Sequence, residues 1–89
     1  MKLSFVIPAW NEEKLIGKTI ESIQLSARKY DFEIIVADDA SDDRTPEIAR
    51  ELGATVASCN NRQIGPTRND GAKVATGDIF IFVDWLGIG

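Results

Sequence analysis

The sequence of 89 residues contains no histidine. A histidine-based triad, a histidine acid–base pair and a His-rich zinc site are therefore excluded within it. It has a single cysteine, Cys59, so no internal disulfide can form, and nothing else points to an oxidising compartment. Basic residues are outnumbered, 10 to 14, giving a formal charge of −4. With no basic field to neutralise a phosphate backbone, nucleic acid is not expected as a partner, although a nucleotide needs only a few local contacts. No run approaches the ~20 apolar residues of a membrane span. The first residues lack the long apolar region and small-residue cleavage site of a signal peptide. The expectation is a cytoplasmic chain without a transmembrane segment. Repeats, low-complexity stretches and linkers are absent too, and the length suits one domain, 1–89.

What is present is a regular alternation. Leu3–Pro8 is a continuous apolar run suited to a strand buried on both faces. Asn11 is placed to cap a following helix, with Glu12 and Glu13 in its first turn. Ile16, Ile20, Ile23 and Ala27 form one apolar helical stripe. Phe32–Ala37 reads as a second buried strand. Thr45 before Pro46 signals a helix start, Ile48, Ala49 and Leu52 turn inward, and Gly53 ends that helix. Ala54–Ser58 is a short third strand, Gly65–Thr76 a third helix closed by Gly77, and Ile79–Val83 ("IFIFV") a fourth strand. The order βαβαβαβ predicts an α/β, Rossmann-like parallel sheet with helices on both faces, in strand order 3-2-1-4.

In such sheets ligands bind outside the carboxyl ends of the strands. Every polar cluster of this sequence falls there: Ala9, Trp10 and Asn11 after strand one, "DDASDD" (Asp38 to Asp43) after strand two, "NNRQIG" after strand three and Asp84 after strand four. The first loop has no glycine before Gly17, which excludes an ordinary dinucleotide-binding loop or a P-loop. Trp10 can pack along a flat base or simply cover the end of the sheet, and the indole alone favours the cover. Asp39 suits a base N–H or a ribose hydroxyl, Ser41, Asp42 and Asp43 suit turn chemistry, with Asp42 assigned to it, and Asp38 fits either. Arg68, within "GPTRNDG", is a cation that can meet a diphosphate or can be a solvated helix-face arginine, and Arg62 shares that choice with less in its favour. Asp84 is a hard-cation ligand by chemistry, yet one carboxylate does not make a strong site.

Taken together, "SFVIPAWNEEKLIGKTIESI", "EIIVADDASDDRT", "NNRQIGPTRNDGA" and "GDIFIFVD" resemble the N-terminal half of a family 2 glycosyltransferase with the GT-A fold, from Ser4 to Asp84. The resemblance implies a donor site for a nucleotide diphosphate sugar, UDP-linked in the first instance. Pro8, Ala9 and Trp10, with Glu12, would line the uridine pocket, and tryptophan stands where the family usually has tyrosine. Asp39 would hold the base. Arg68 would lie near base and diphosphate. Asp84 would be the first acid of the family's DxD motif, binding Mg²⁺ or Mn²⁺ through the diphosphate. The implied chemistry is inverting transfer to an acceptor hydroxyl, with a base removing its proton.

The departure is at position 86, where the second acid is expected and Leu86 stands. The acceptor half and the base of the family would lie beyond "DWLGIG". The expectation is thus a truncated GT-A fold, inactive alone, whose alternative is a non-enzymatic remnant serving as a structural or interaction domain. A receiver-like phosphoacceptor is disfavoured, since strand three ends in "CNN" where that reading needs an aspartate. Strand four should be an apolar edge without lysine, proline or bulge, which predicts a homo-oligomer through its side, with Trp85 and Leu86 packing across the axis.

Overall fold

The computed structural model describes residues 1–84. Trp85 and Leu86, and with them the expected tail packing and the position of the second DxD acid, lie outside the described residues. Four strands and three helices alternate: β1 (Lys2–Ala9), α1 (Ile16–Ser26), β2 (Asp31–Asp39), α2 (Thr45–Glu51), β3 (Thr55–Cys59), α3 (Ile64–Val74) and β4 (Ile79–Phe82). The strands form one parallel sheet in the order β3-β2-β1-β4. The two central strands are the two longest, 8 and 9 residues, and their apolar stretches are buried, as a place in the middle of a covered sheet requires.

The strand alternation sorts the core into two layers. Ile7, Ala9, Ile34 and Val36 pack with Ile16 and Ile20 of α1 and Ala49 of α2 on one side. On the other, Gly71 brings the backbone of α3 down onto Val6, Ile35 and Ala37. A Cβ at Gly71 would stand 2.6 Å from Val6 Cγ1 and 3.1 Å from Ala37 Cβ. Helices thus cover both faces, and the apolar stripe expected of α1 is the stripe it buries.

The start of β4 is held by a polar lock at the amino edge. Buried Ser4 donates to Glu33 Oε2 (2.6 Å) and accepts from the Gly77 N–H (2.8 Å). Thr76 N–H also donates to Glu33 Oε2 (2.6 Å), and Asp78 N–H donates to the Lys2 carbonyl (2.8 Å). A Cβ on Gly77 would collide with Ser4 Oγ and lie 2.8 Å from the Lys2 carbonyl oxygen, so only glycine admits this approach.

Two helix starts differ from expectation. α1 begins at Ile16, with no acid in its first turn, and Asn11 is not its cap. Asn11 takes a left-handed conformation (φ 50°) and its side-chain oxygen accepts the Asp42 N–H at 2.7 Å, so it serves a neighbouring loop instead. At α2 the cap position falls on Arg44, and Thr45 is the first helical residue. The Thr45 hydroxyl is turned to the β1–α1 loop, where it accepts the Glu12 N–H (2.8 Å) and donates to Asp43.

Candidate functional site

Chain reversal at the ends of the strands shapes the carboxyl edge. The three non-glycine residues with positive φ among the described residues all lie there: Asn11 after β1, Ala40 after β2 and Arg62 after β3 (φ 50°, 57° and 54°). Left-handed backbone is unfavourable for such residues, most of all for Ala40, and it persists only where surrounding bonds hold it.

Those bonds are visible. Asp38 accepts the N–H and the hydroxyl of Ser41, closing the turn after β2, and Ser41 Oγ in turn accepts the Asn11 N–H (2.8 Å). Asp43 accepts the N–H groups of Thr45 (2.9 Å) and Glu13 (3.2 Å), and Glu13 Oε1 accepts the Arg44 N–H (3.1 Å). The loops after β1 and β2 are thereby tied into one body. Within "DDASDD" the turn chemistry belongs to the carboxylates of Asp38 and Asp43. Asp42, to which the sequence assigned it, contributes its N–H to Asn11 and exposes its side chain.

Asp39, fully buried at the end of β2, reaches across to the loop after β3. One carboxylate oxygen accepts the Asn61 N–H at 2.6 Å and the other the Arg62 N–H at 2.8 Å. Asn61 continues the link into α3, donating from its side chain to Asp70 (2.8 Å) and Thr67 (3.3 Å). Each Asp39 oxygen retains a second lone pair, so the carboxylate both anchors this loop and has acceptor capacity left.

The remaining sequence-designated residues gather on the same edge. Pro8 and Ala9 are buried at the end of β1, and Glu12 is buried immediately beyond. Trp10 is half-buried, with the guanidinium of Arg62 over its ring at 4.7 Å from the centroid. Arg68, on α3, lays its guanidinium 5.0 Å from the ring centroid of Phe82 on β4. Trp10 Nε1 and Arg68 Nε are both buried and find no hydrogen-bond partner among the described residues. Asp84 is exposed, two residues past β4. Among the described residues no three His, Cys, Asp or Glu side chains converge as a metal cage. A concavity of about 480 Å³ lies alongside, lined by Asn11, Glu12, Glu13, Lys14, Leu15 and Asp43, and shares only Glu12 with the designated set.

Two groups have informative acidities. Burial, reinforced by the charges of Asp70, Asp39 and Asp38, pushes the Cys59 thiol up to about 11, so at neutral pH it is a thiol and not a nucleophilic thiolate. Burial raises Asp43 as well, but its bonds from the Thr45 hydroxyl and from the backbone outweigh that and hold it below its ordinary value. Sequence reasoning had Ser41 and Asp43 as turn residues, as they are, and missed the ties made by the Thr45 hydroxyl and by Asn61. The clustering of short polar residues after two consecutive strands was the available signal.

Comparison with known proteins matches this arrangement. The model of glycosyl transferase family 2 aligns to residues 4–85. The chain is 44% identical to a 4,4'-diaponeurosporenoate glycosyltransferase of Staphylococcus haemolyticus, over 92% of this chain and 23% of that protein. It is 35% identical to a poly(ribitol-phosphate) beta-glucosyltransferase of Bacillus spizizenii, over 94% of this chain and 14% of that one. It therefore spans a quarter or less of the length of these relatives. Among solved structures, TarS of Staphylococcus aureus (residues 1–349, in complex with UDP-GlcNAc) superposes with a TM-score of 0.79 at 33% identity, over 94% of this chain and 26% of that one. Glucosyl-3-phosphoglycerate synthase of Mycobacterium tuberculosis, in complex with Mn²⁺, UDP and glucosyl-3-phosphoglycerate, gives 0.75 at 33% identity, over 93% and 33%. The βαβαβαβ sheet is thus the N-terminal part of a GT-A fold, and the chain belongs to glycosyl transferase family 2.

Proposed function

We propose that residues 1–89 form the donor-binding part of an inverting glycosyltransferase that takes a nucleotide diphosphate sugar, UDP-linked, in the cytoplasm. The observation that carries the reading is a pair of buried N–H donors on the carboxyl edge, Trp10 Nε1 and Arg68 Nε, that have no partner among the described residues. An unsatisfied buried donor costs about 1–3 kcal/mol, a cost retained where a ligand satisfies it. Pro8, Ala9, Trp10, Glu12 and Asp39 line the base and ribose side. Arg68 faces the diphosphate, where a guanidinium makes charge-assisted bonds.

Asp84 fits a Mg²⁺ or Mn²⁺ ion only in company with diphosphate oxygens, because the described residues offer no cage of their own. Bound so, the ion would screen charge on the departing diphosphate. In the transfer itself the acceptor oxygen bonds to the anomeric carbon, the bond from that carbon to the diphosphate oxygen breaks, and the acceptor proton passes to a base. No described residue is assigned as that base, and we expect binding without transfer from this chain alone.

Titration calorimetry with UDP, GDP and CDP, with and without Mn²⁺, tests the proposal. UDP should bind more tightly when Mn²⁺ is present, and Mn²⁺ alone should bind weakly. Absence of binding by all three nucleotides at millimolar concentration would overturn it in favour of a non-enzymatic domain, and tight Mn²⁺ binding to the free protein would overturn the shared metal site.

A further inference from the structure

β4 runs Ile79, Phe80, Ile81, Phe82. Slid by two residues along β1, it would put isoleucine where isoleucine was and phenylalanine where phenylalanine was. Its four side chains are also about equally exposed, between 36% and 42%, so burial does not choose a register either. Yet a single register is taken, from Leu3 beside Ile79 to Val6 beside Phe82. The choice has to be made outside the apolar run.

The residues at the amino end do not repeat, and there the contacts are specific. Gly77 N–H donates to Ser4 Oγ (2.8 Å), Thr76 N–H donates to Glu33 Oε2 (2.6 Å), and the Ser4 hydroxyl joins the two by donating to the same oxygen (2.6 Å). Beside them Asp78 N–H donates to the Lys2 carbonyl (2.8 Å), and Lys2 N–H donates to the Asp78 carboxylate (2.9 Å). The seat of Gly77 admits no Cβ, so no neighbour from Ala75 to Ile79 can take it in a shifted strand. At the other end of β4 the same register brings Phe82 to Arg68, 5.0 Å from guanidinium to ring centroid, and sets the height of Asp84 at the carboxyl edge. A slip of two residues would carry Asp84 about 7 Å along the strand, roughly three times the length of a metal–oxygen bond. We propose that Ser4, Glu33 and Gly77 are the register stop of β4, and that Ser4 and Glu33 thereby act as positioning residues for Asp84 and for the Phe82 ring against Arg68. The inference rests on the donor-binding reading above for what Asp84 and Arg68 do, and the stop itself is independent of it.

Two measurements on the intact chain and its variants test this. Nuclear Overhauser contacts between β1 and β4 read the register with no ligand present. Titration with UDP and with uridine, with and without Mn²⁺, reads the placing of Asp84. Ser4→Ala and Glu33→Ala should add a second, shifted set of β1–β4 contacts. They should also cut the gain in UDP affinity that Mn²⁺ supplies by about tenfold, the scale of losing a residue that orients a metal ligand. Uridine, which has no diphosphate, should bind all variants alike. Glu33→Gln keeps an oxygen for Ser4 and Thr76 and should restore both the register and the gain. Ala49→Gly, on α2, lowers stability without touching the stop and should keep both as well. If Glu33→Ala does not fold, Ser4→Ala, which deletes a single oxygen, decides the matter. Parent-like β1–β4 contacts in the alanine variants would overturn the stop. A shifted register with an undiminished Mn²⁺ gain, or an equal loss of that gain in Ala49→Gly, would overturn the positioning role. A parent that gains nothing from Mn²⁺ would remove the metal reading of Asp84 and the positioning role with it, while the β1–β4 contacts still decide the stop.

Discussion

Asp39 and Asp42 stand three residues apart, are chemically identical, and do unlike work. Asp39 is buried with a backbone N–H on each oxygen, whereas Asp42 is exposed and no hydrogen bond to its carboxylate is seen among the described residues. Asp39→Ala leaves two backbone donors stranded and should cost roughly 2–3 kcal/mol in denaturant unfolding, in addition to weakening UDP binding. Asp42→Ala should stay within about 0.5 kcal/mol of the parent and leave affinity unchanged, as for surface substitutions without partners. Equal losses at the two positions would contradict this division. Acidity supplies a second test. Burial works to raise Glu33 above its ordinary 4.5, but bonds from Ser4 and Thr76 and the charge of Lys2 win, and its folded value is lowered. Asp43 is lowered in the same way. A depressed carboxyl contributes stability that is complete above its unfolded value and is lost as pH falls through the folded one. Thermal midpoints should therefore drop below about pH 4.5, and Glu33→Gln should flatten that drop while lowering the midpoint at pH 7.

Elements were largely legible in the sequence, because each carries a period. The two-sided apolar runs of β1 and β2 and the 16, 20, 23, 27 stripe of α1 repeat at spacings that only one kind of element can bury. Pro46 and Gly53 punctuate α2 for steric reasons that survive folding, and Gly53 does take a positive φ of 92°. The ties between loops had no such period. Asn11 to Asp42 and Asp39 to Arg62 join residues 31 and 23 positions apart, through hydrogen bonds that any of several polar neighbours might have made by composition alone. For the same reason Arg62 could not be told from a solvated arginine until its place over Trp10 was seen. One element-scale feature was not read at all, since nothing in the sequence singled out Gly71 within the third helix. It is the residue that lets α3 touch the sheet, and Gly71→Ala should force helix and strand apart. A loss of about 1–3 kcal/mol in chemical unfolding is expected. An unchanged midpoint would mean that the helix can ride higher without penalty.

At the scale of the whole sheet, the apolar edge among the described residues is β4. It is one of the two edges of the sheet, and Ile79, Phe80, Ile81 and Phe82 keep 42%, 42%, 36% and 41% of their surface exposed. Ile81 and Val83 also line a groove with Phe5 and Ile23 of the α1 side, bordered by Lys18, Thr19 and Ser22. Unblunted apolar edges of this kind associate. This chain should form concentration-dependent dimers in sedimentation, and Ile81→Lys should shift them to monomers. A monomer at high micromolar concentration, or a dimer indifferent to Ile81→Lys, would contradict that expectation.

The lone thiol stands apart from such an assembly. Cys59 sits beside Asp39 in the sheet register, and its acidity near 11 leaves almost no thiolate at physiological pH. It also lies on β3, at the edge of the sheet opposite β4, so a dimer through β4 should be indifferent to reductants. The same thiol becomes a built-in chemical clock: its slow alkylation would quicken when the acidic charges around it are neutralised, so labelling rate records the electrostatic state of the carboxyl edge without an introduced probe.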